Sequence, residues 1–461
     1  MPVTADQGET PAGTAGAGTA DLTLDAKVAA ANVPPEILAQ SLGQYFRASW
    51  LRIRSGNSGI LPVLLAIVIV AVVFEIITPE HAYLRPSNLV YIFGLSTVYM
   101  VLAIAETVVL LLAEVDLSVG AVALIGGVIA FKLVQQPGQS PGQPAPDWPW
   151  WAAVLAALVI CGGIGALQGA LVALLRIPSF VVTLAGFLLF SGILIVILGG
   201  ADSTVSLNTS VPNQNIIYDM VQGLIAPVLG WIILAVVVVA AGASMWLRTA
   251  ARRRSGLTAP PLSLVAIRIA LLAIVGAAVV IVCSVNRGSS LKAVTGIPWV
   301  IPIVLVVLAA WTLVLQRTRY GRYIYAIGGN PEAARRAGVS LPAIRIWAFA
   351  LCSATAALGG ILLGSFFYGQ YSSNTADPGQ LVLYTVAAAV IGGVSLFGGR
   401  GKAIHGVLGG LLIGGIAYGV SLLSLGSLST PLQYILPGGV LLIAVLIDVL
   451  SRRGAGSATG V

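Results

Sequence analysis

Charge is scarce in this sequence. Only 9% of its 461 residues are Asp, Glu, Lys or Arg, while hydrophobic residues make up 58% and the mean hydropathy is +0.98. A soluble globular domain carries about 25% charged residues, so the composition excludes that class. Apolar runs of span length recur along the chain, and they do not alternate polar and apolar residues as the strands of a membrane barrel do. The composition therefore predicts an all-α polytopic membrane protein.

The sequence also lacks the motifs of nucleotide and metal chemistry. It contains no GxxxxGK[ST] phosphate loop, no HExxH and no paired Cys–His arrangement. Its three cysteines, Cys161, Cys283 and Cys352, lie far apart in apolar segments, so we interpret them as small buried hydrophobic residues. We expect a chain that is not an enzyme and binds no metal or cofactor, so that any ATP is hydrolysed by another subunit.

About twelve apolar segments are long enough to span a bilayer. EVDLSVG, which begins at Glu114, interrupts the second and third of them. The predicted spans are 60–78, 89–112, 117–135, 150–175, 180–198, 226–247, 264–284, 299–316, 344–367, 381–397, 404–424 and 432–450.

The composition changes at both ends of the chain. We predict a disordered cytoplasmic tail over 1–45, a transmembrane domain over 46–453 and a short cytoplasmic tail over 454–461. The pattern from Pro35 to Arg54 is amphipathic, which fits either an interfacial helix or an ordinary juxtamembrane linker.

The basic residues determine the predicted orientation. With the amino terminus in the cytoplasm and alternating spans, about 19 of the 24 basic residues fall on the cytoplasmic side. Arg85, Lys132, Arg287 and Lys292 fall outside, and Arg268 lies within a span. This asymmetry favours an even number of spans with both termini in the cytoplasm.

A polar stretch of eleven residues, GGNPEAARRAG, begins at Gly328 on the predicted cytoplasmic side. Asn330 suits a helix N-cap, Pro331 the first helical position, and Glu332 the first turn, where the helix dipole favours an acid. Glu332 can pair with the two arginines that follow, and Gly338 can end the helix. The stretch is either a solvated loop or a short helix that a cytosolic partner contacts.

The apolar segments contain acidic residues that need an explanation. Glu106 lies within the second apolar run, and an intramembrane acid is a candidate for function. Glu106 fits either a polar contact between helices or a transport pathway. Asp116 and Ser118 fit caps for the helix that follows, although Asp116 could also belong to a pathway.

Two further strings combine small and polar residues. RIPSFVVTLAG begins at Arg176, where a span reaches the cytoplasm, and VIGGVSLFGGRGK begins at Val390. The glycines of the second string permit irregular backbone and close helix approach. Such packing fits a gated pathway better than a static anchor.

Together these strings resemble a known family. GGNPEAARRAG resembles the cytoplasmic coupling loop of bacterial sugar ABC-importer permeases, and EVDLSVG, RIPSFVVTLAG and VIGGVSLFGGRG resemble three further strings of that family, in the same order. The chain resembles the ribose/galactose/xylose branch, and most closely its D-xylose type, because residues 250–301 contain an additional basic loop and span. The long amino-terminal tail is not part of the family pattern.

The resemblance implies a permease subunit that imports a monosaccharide, with D-xylose expected, through a bacterial plasma membrane. It implies three partners: a cytosolic ATPase that contacts a coupling loop over 317–343, an extracytoplasmic sugar-binding protein, and a second permease copy. No nucleic acid is expected. The residues expected to contact the ATPase are Arg322, Gly329, Asn330, Pro331, Glu332, Ala333, Ala334, Arg335, Arg336 and Gly338.

Polarity and placement select a set of residues for the sugar pathway. They are Tyr99, Glu106, Asp116, Gln370, Tyr371 and Asn374. The alternative function is a proton- or sodium-coupled secondary transporter that uses Glu106 and Asp116 as coupling residues. A membrane enzyme is disfavoured because no catalytic cluster is visible.

Overall fold

The computed structural model describes residues 60–139, 145–200, 203–257, 259–288, 293–372 and 377–457. The predicted amino-terminal tail, the amphipathic segment 35–54 and Asn374 lie outside these residues. The last described helix runs to Ser457, so it extends past the predicted start of the second tail at residue 454.

The described chain is helical from one end to the other, with four very short strands. The helices are α1 Leu61–Ile77, α2 Pro86–Leu110, α3 Val119–Val134, α4 Trp150–Leu175, α5 Ser179–Leu198, α6 Pro212–Gln222, α7 Pro227–Arg254, α8 Leu262–Ser284, α9 Val300–Arg317, α10 Arg319–Gly329, α11 Pro331–Arg336, α12 Leu341–Phe366, α13 Pro378–Ile391, α14 Ala403–Leu422 and α15 Ser429–Ser457. Short 3₁₀ turns lie at Pro79–His81 and Gly426–Leu428. The strands are β1 Thr204–Ser206, β2 Leu224–Ile225, β3 Ile297–Pro298 and β4 Gln370–Ser372.

Apolar helices account for all of the predicted spans. Within the described residues, nine helical segments are long and apolar enough to cross a membrane. Three shorter apolar helices, α1, α3 and α13, occupy the remaining predicted spans. The prediction of an all-α polytopic membrane protein is therefore confirmed.

The second helix, α2, is the centre of the larger compact unit, which comprises Gly59–Leu234 and Gly276–Leu450. In the most apolar 18-residue stretch of α2, 89% of the residues are buried. The helices α12, α13 and α14 pack around α2. Glycines make this packing close: a Cβ on Gly406 of α14 would lie 2.8 Å from the Ala103 carbonyl carbon of α2. In membranes, small residues of this kind let helix backbones approach, which increases van der Waals contact.

Contacts between connecting segments test the predicted alternation of the spans. On the predicted cytoplasmic side, the Gly399 amide donates a 2.9 Å hydrogen bond to the carbonyl oxygen of Leu111. On the opposite side, the Leu207 amide donates to the Gly369 carbonyl at 2.8 Å, and β1 pairs with β4 in antiparallel register. Segments predicted to share a side thus touch one another, as the alternation requires.

The smaller unit contains the ends of α7 and α8 and their basic connection, within Ala235–Val275. A Cβ on Gly242 would lie 3.4 Å from the Ile269 side chain, an ordinary packing distance between the two helices. The Arg253 guanidinium donates a 3.1 Å hydrogen bond to the Pro260 carbonyl, which ties the connection to the end of α7.

Candidate functional site

The polar stretch forms a six-residue helix, α11, with the predicted start. The Asn330 side chain accepts a 2.9 Å hydrogen bond from the Ala333 amide, which satisfies one of the free N–H groups of the first turn. Pro331 occupies the first helical position. Gly338 has φ of +81°, the left-handed conformation that commonly follows the end of a helix.

Ion pairs join the two ends of this short helix. Glu332 accepts hydrogen bonds from Arg335 at 2.9 and 3.0 Å and from Arg336 at 3.1 Å. Hydrogen bonds from Arg335, and to a smaller extent from Arg336, stabilise the charged carboxylate and so lower the pKa of Glu332. All three side chains are exposed, so water and salt screen the pairs. These ion pairs help to order the helix surface and leave both arginines accessible.

One of the residues expected to contact the ATPase, Ala334, points into the protein. Ala334 is only 5% exposed and packs in a cluster with Ile324, Ile327 and Ile344. Ala333 is exposed. Ala334 therefore lies on the inner side of α11, because a helix this short must bury one side to stay attached to the protein.

The preceding helix, α10, carries α11 on the protein. The hydroxyl of Thr318 accepts a 3.1 Å hydrogen bond from the Gly321 amide and caps the start of α10. Ile324 and Ile327 are fully buried, and the Tyr325 hydroxyl donates a 2.7 Å hydrogen bond to the Gly401 carbonyl. The α10 helix is thus attached by an apolar face and by one hydrogen bond to a distant glycine-rich segment.

We name that segment, residues 395–402 between α13 and α14, the glycine loop. Gly398, Gly399 and Gly401 all have positive φ, which explains why glycine is needed there. The loop packs against Gly328, where a Cβ would lie 1.8 Å from the Leu111 carbonyl oxygen and 2.5 Å from the Gly399 amide nitrogen. Residues 317–343, which we call the coupling segment, therefore meet the glycine loop and the end of α2 at Gly328, with the three backbones in direct contact.

This three-way contact was not predicted from the sequence. Two of its segments, GGNPEAARRAG and VIGGVSLFGGRGK, were recognised separately as unusual strings. Both strings contain glycines where one backbone packs directly against another. A single sequence, however, does not indicate which strings are neighbours in the fold.

The EVDLSVG segment lies at the same end of the molecule. The Arg345 Nε atom is 3.2 Å from the Glu114 Oε1 atom, and both side chains are largely buried. This distance makes an ion pair, although the N–H direction does not meet hydrogen-bond geometry. The pair connects the start of α12 to the turn after α2.

The intramembrane acids are structural partners of the turn that precedes α3. Glu106 and Asp116 are both fully buried, and the Asp116 amide donates a 3.1 Å hydrogen bond to the Glu106 carboxylate. Asp116 in turn accepts from the Ser118 amide at 2.9 Å and from its hydroxyl at 2.6 Å. Asp116 thus stabilises the entry to α3, whereas the Ser118 side chain makes no capping bond, contrary to prediction.

The other predicted pathway residues are not gathered around these acids. Tyr371 is fully buried, its hydroxyl donates to the Gly360 carbonyl, and it accepts a 3.1 Å hydrogen bond from the Gly364 amide. Tyr99 is 8% exposed and packs edge-on against Tyr384. Gln370 is exposed in β4, on the predicted outer side. In this conformation Glu106, Asp116 and Tyr371 have no surface available to a sugar.

The three cysteines are free and buried, as predicted from their apolar surroundings. Their burial confirms the interpretation as packing residues.

The described part of the chain is a bundle of apolar, membrane-length helices that carries an exposed, self-capped helix. The family described as "Branched-chain amino acid transport system / permease component" matches residues 88–254 and 216–445. These matches cover more than half of the chain, so it belongs to this permease family.

Curated relatives narrow the comparison. The chain is 32% identical over 393 residues to the xylose transport system permease protein XylH of Escherichia coli (strain K12), which covers 85% of this chain and 92% of that protein. XylH of Haemophilus influenzae is 31% identical over 412 residues, which are 87% of this chain and 99% of that protein. The ribose import permease protein RbsC of Escherichia coli (strain K12) is 27% identical over 409 residues, which are 88% of this chain and 96% of that protein. No solved structure matches the chain.

Proposed function

We propose that this chain is the transmembrane permease subunit of an ATP-binding-cassette importer that moves D-xylose into a bacterial cell. The observation that carries the proposal is α11, an exposed helix with its own cap and ion pairs, attached to the bundle through Ala334. A helix that is ordered without a partner, and yet exposed, is prepared for contact with another protein.

The proposal assigns ATP hydrolysis to a separate cytosolic subunit. The chain contains no phosphate-binding loop, and the residues around α11 offer positive charge and an exposed helical surface. An ATPase dimer would contact Pro331, Glu332, Ala333 and the two arginines that follow. Two permease copies would form the pathway, and a sugar-binding protein would deliver the substrate to the outer face.

The contacts behind α11 supply a route for coupling. Movement of α11 displaces α10, because Asn330 is both the end of α10 and the cap of α11. The α10 helix meets the Leu111 carbonyl and the glycine loop through Gly328, so the displacement reaches α2 at the centre of the bundle. Closure of the ATPase would thereby bias the bundle between outward and inward openings.

The choice of D-xylose is supported by relatives named for xylose transport. Ribose and allose permeases are less similar, at 27% and 26% identity. Residues 250–301, which resemble the xylose type, include α8, an apolar helix long enough to cross a membrane.

A substitution at Ala333 tests the docking surface. Glutamate is well accommodated at the third position of a capped helix, so Ala333→Glu keeps α11 folded while it changes the size and charge of its exposed face. Ala251→Glu is the control, because Ala251 is exposed near the predicted cytoplasmic end of α7, outside the coupling loop. We expect Ala333→Glu to reduce ATP-dependent xylose uptake at least tenfold, with the control near wild type.

The measurement is uptake of labelled xylose in a strain that lacks its own xylose importers, with membrane insertion checked by immunoblot. Equal uptake by both variants would show that the ATPase does not contact α11. Uptake that survives ATP depletion and collapses with an uncoupler would establish the secondary transporter instead. Labelled ribose in the same strain tests the sugar, and preferential ribose uptake would refute the xylose assignment.

A further inference from the structure

A cleft of about 650 Å³ opens beside the coupling segment, between α9, α10 and the glycine loop. Two basic side chains line it, together with one tyrosine, one amide, one leucine and two glycines. The lining residues are Leu315, Gln316, Arg322, Tyr325, Gly399, Gly401 and Lys402.

The cleft has an uncompensated positive charge. Arg322 and Lys402 are exposed, and no ion pair involves either residue within the described part of the chain. By contrast, Glu332 neutralises part of the charge of Arg335 and Arg336 nearby. Among the described residues no carboxylate lines the cleft, so an anion that enters it meets the two cations and no acidic side chain.

The charged groups in the cleft can bind a phosphate. The planar guanidinium of Arg322 can donate two parallel hydrogen bonds to phosphate oxygens, and Lys402 adds a point charge. The Tyr325 hydroxyl already donates to the Gly401 carbonyl, so it shapes the wall instead of binding the anion.

One exposed apolar stripe leads to the cleft. Val306 and Leu313 of α9 are 67% and 58% exposed, and Ala309 between them is exposed as well. These residues and Gln316 follow one another at three- and four-residue spacing, so they share one face of α9. The stripe reaches the cleft at Gln316, which lines it. Apolar surface that ends at a basic cleft on the cytoplasmic side fits a molecule with acyl chains and an anionic head.

We propose that this cleft binds the phosphate headgroup of an anionic phospholipid from the cytoplasmic leaflet, with the acyl chains along the exposed stripe of α9. Basic pockets at the cytoplasmic ends of membrane helices bind such headgroups. The bound phosphate bridges α10, through Arg322, to the glycine loop, through Lys402. It therefore stabilises the contact that transmits movement from the coupling helix.

Lipid binding can be measured on the full-length chain in nanodiscs of phosphatidylcholine with labelled phosphatidylglycerol as the probe. The double variant Arg322→Gln/Lys402→Gln should lower the retention of phosphatidylglycerol about 30-fold, if each cation contributes as a basic residue typically does at an anionic surface. The matched control Arg252→Gln/Arg254→Gln removes the same charge from exposed positions at the end of α7, away from the cleft, and should change retention less than threefold.

A charge-conserving variant tests whether the loss of lipid binding comes from the lost charges or from misfolding. Arg322→Lys/Lys402→Arg should retain phosphatidylglycerol within about threefold of wild type, because the cleft keeps one guanidinium and one ammonium group. Equal losses in the cleft and control variants would overturn the proposal, since binding would then follow net charge alone.

Two further measurements distinguish a lipid headgroup from free phosphate, and a lipid from the ATPase, as the occupant of the cleft. If inorganic phosphate alone displaces the lipid completely at millimolar concentration, the cleft is a site for free phosphate and the lipid proposal fails. If the double variant retains lipid but no longer binds the ATPase, the cleft belongs to the protein interface and the proposal also fails. Neither outcome depends on which sugar is transported.

Discussion

Replacing Gly328 by alanine places a methyl group where the structure has no space for one. The added Cβ would lie 1.8 Å from the Leu111 carbonyl oxygen and 2.5 Å from the Gly399 amide nitrogen. Both are backbone atoms, and they are joined by the 2.9 Å hydrogen bond that fastens the glycine loop to α2. The methyl group must therefore separate α10 from this contact, because neither atom can rotate away.

The size of the effect follows from opposing terms. Overpacking costs about 1–3 kcal/mol, and weakening the hydrogen bond adds about 1 kcal/mol. Alanine in place of glycine within a helix returns roughly 0.5–1 kcal/mol. We expect a net loss of about 1–3.5 kcal/mol in the stability of this contact.

The next residue provides a matched control. A Cβ on Gly329 would have no atom within 4 Å, so Gly329→Ala should leave the stability of the isolated permease unchanged or raise it slightly. The assays are thermal unfolding of each purified variant and xylose uptake per ATP hydrolysed after reconstitution with the ATPase. Gly328→Ala should unfold at lower temperature and hydrolyse ATP with little uptake. Equal melting temperatures for the two variants would refute the packing argument, and tight coupling in Gly328→Ala would refute the transmission route.

Two carboxylates give further predictions. Glu106→Gln keeps an oxygen that accepts from the Asp116 amide, whereas Glu106→Leu leaves this buried donor unpaired at a cost of about 1–3 kcal/mol. Thermal unfolding should therefore separate the two variants, and identical melting temperatures would contradict this role. The Arg335 and Arg336 side chains lower the pKa of Glu332, so its ion pairs exist above the ordinary carboxyl pKa of 4.5 and disappear only as the pH falls through the lowered value. ATPase binding by the wild type and by Glu332→Gln should differ by a constant factor from pH 7 down to about 5. Convergence of the two near pH 6 would contradict this assignment.

Local properties of the chain were predictable. Asn330, Pro331 and Glu332 form the start of α11 as predicted, because capping, the fixed φ of proline and charge near a helix terminus depend on neighbouring residues alone. The same holds for the spans, since the length and polarity of a segment decide whether it can cross a bilayer.

The pathway residues show where such reasoning ends. Tyr371 and Glu106 were selected because polar side chains in apolar segments need an explanation. Both turn out to bond to backbone groups within the bundle, which is a sufficient reason for their polarity. A polar residue that serves a turn and one that faces a substrate have the same local sequence, so only their partners distinguish them.

The order of the spans, the cytoplasmic side of the coupling segment and the cap of α11 all follow from hydropathy, charge asymmetry and capping, which act over a few residues or one segment. The inward direction of Ala334 and the meeting of Gly328, Gly399 and Leu111 follow from none of these. They depend on which helices become neighbours, and that is decided by close packing between segments far apart in the chain. The tertiary structure thus converts an exposed polar helix into one connected to the centre of the bundle.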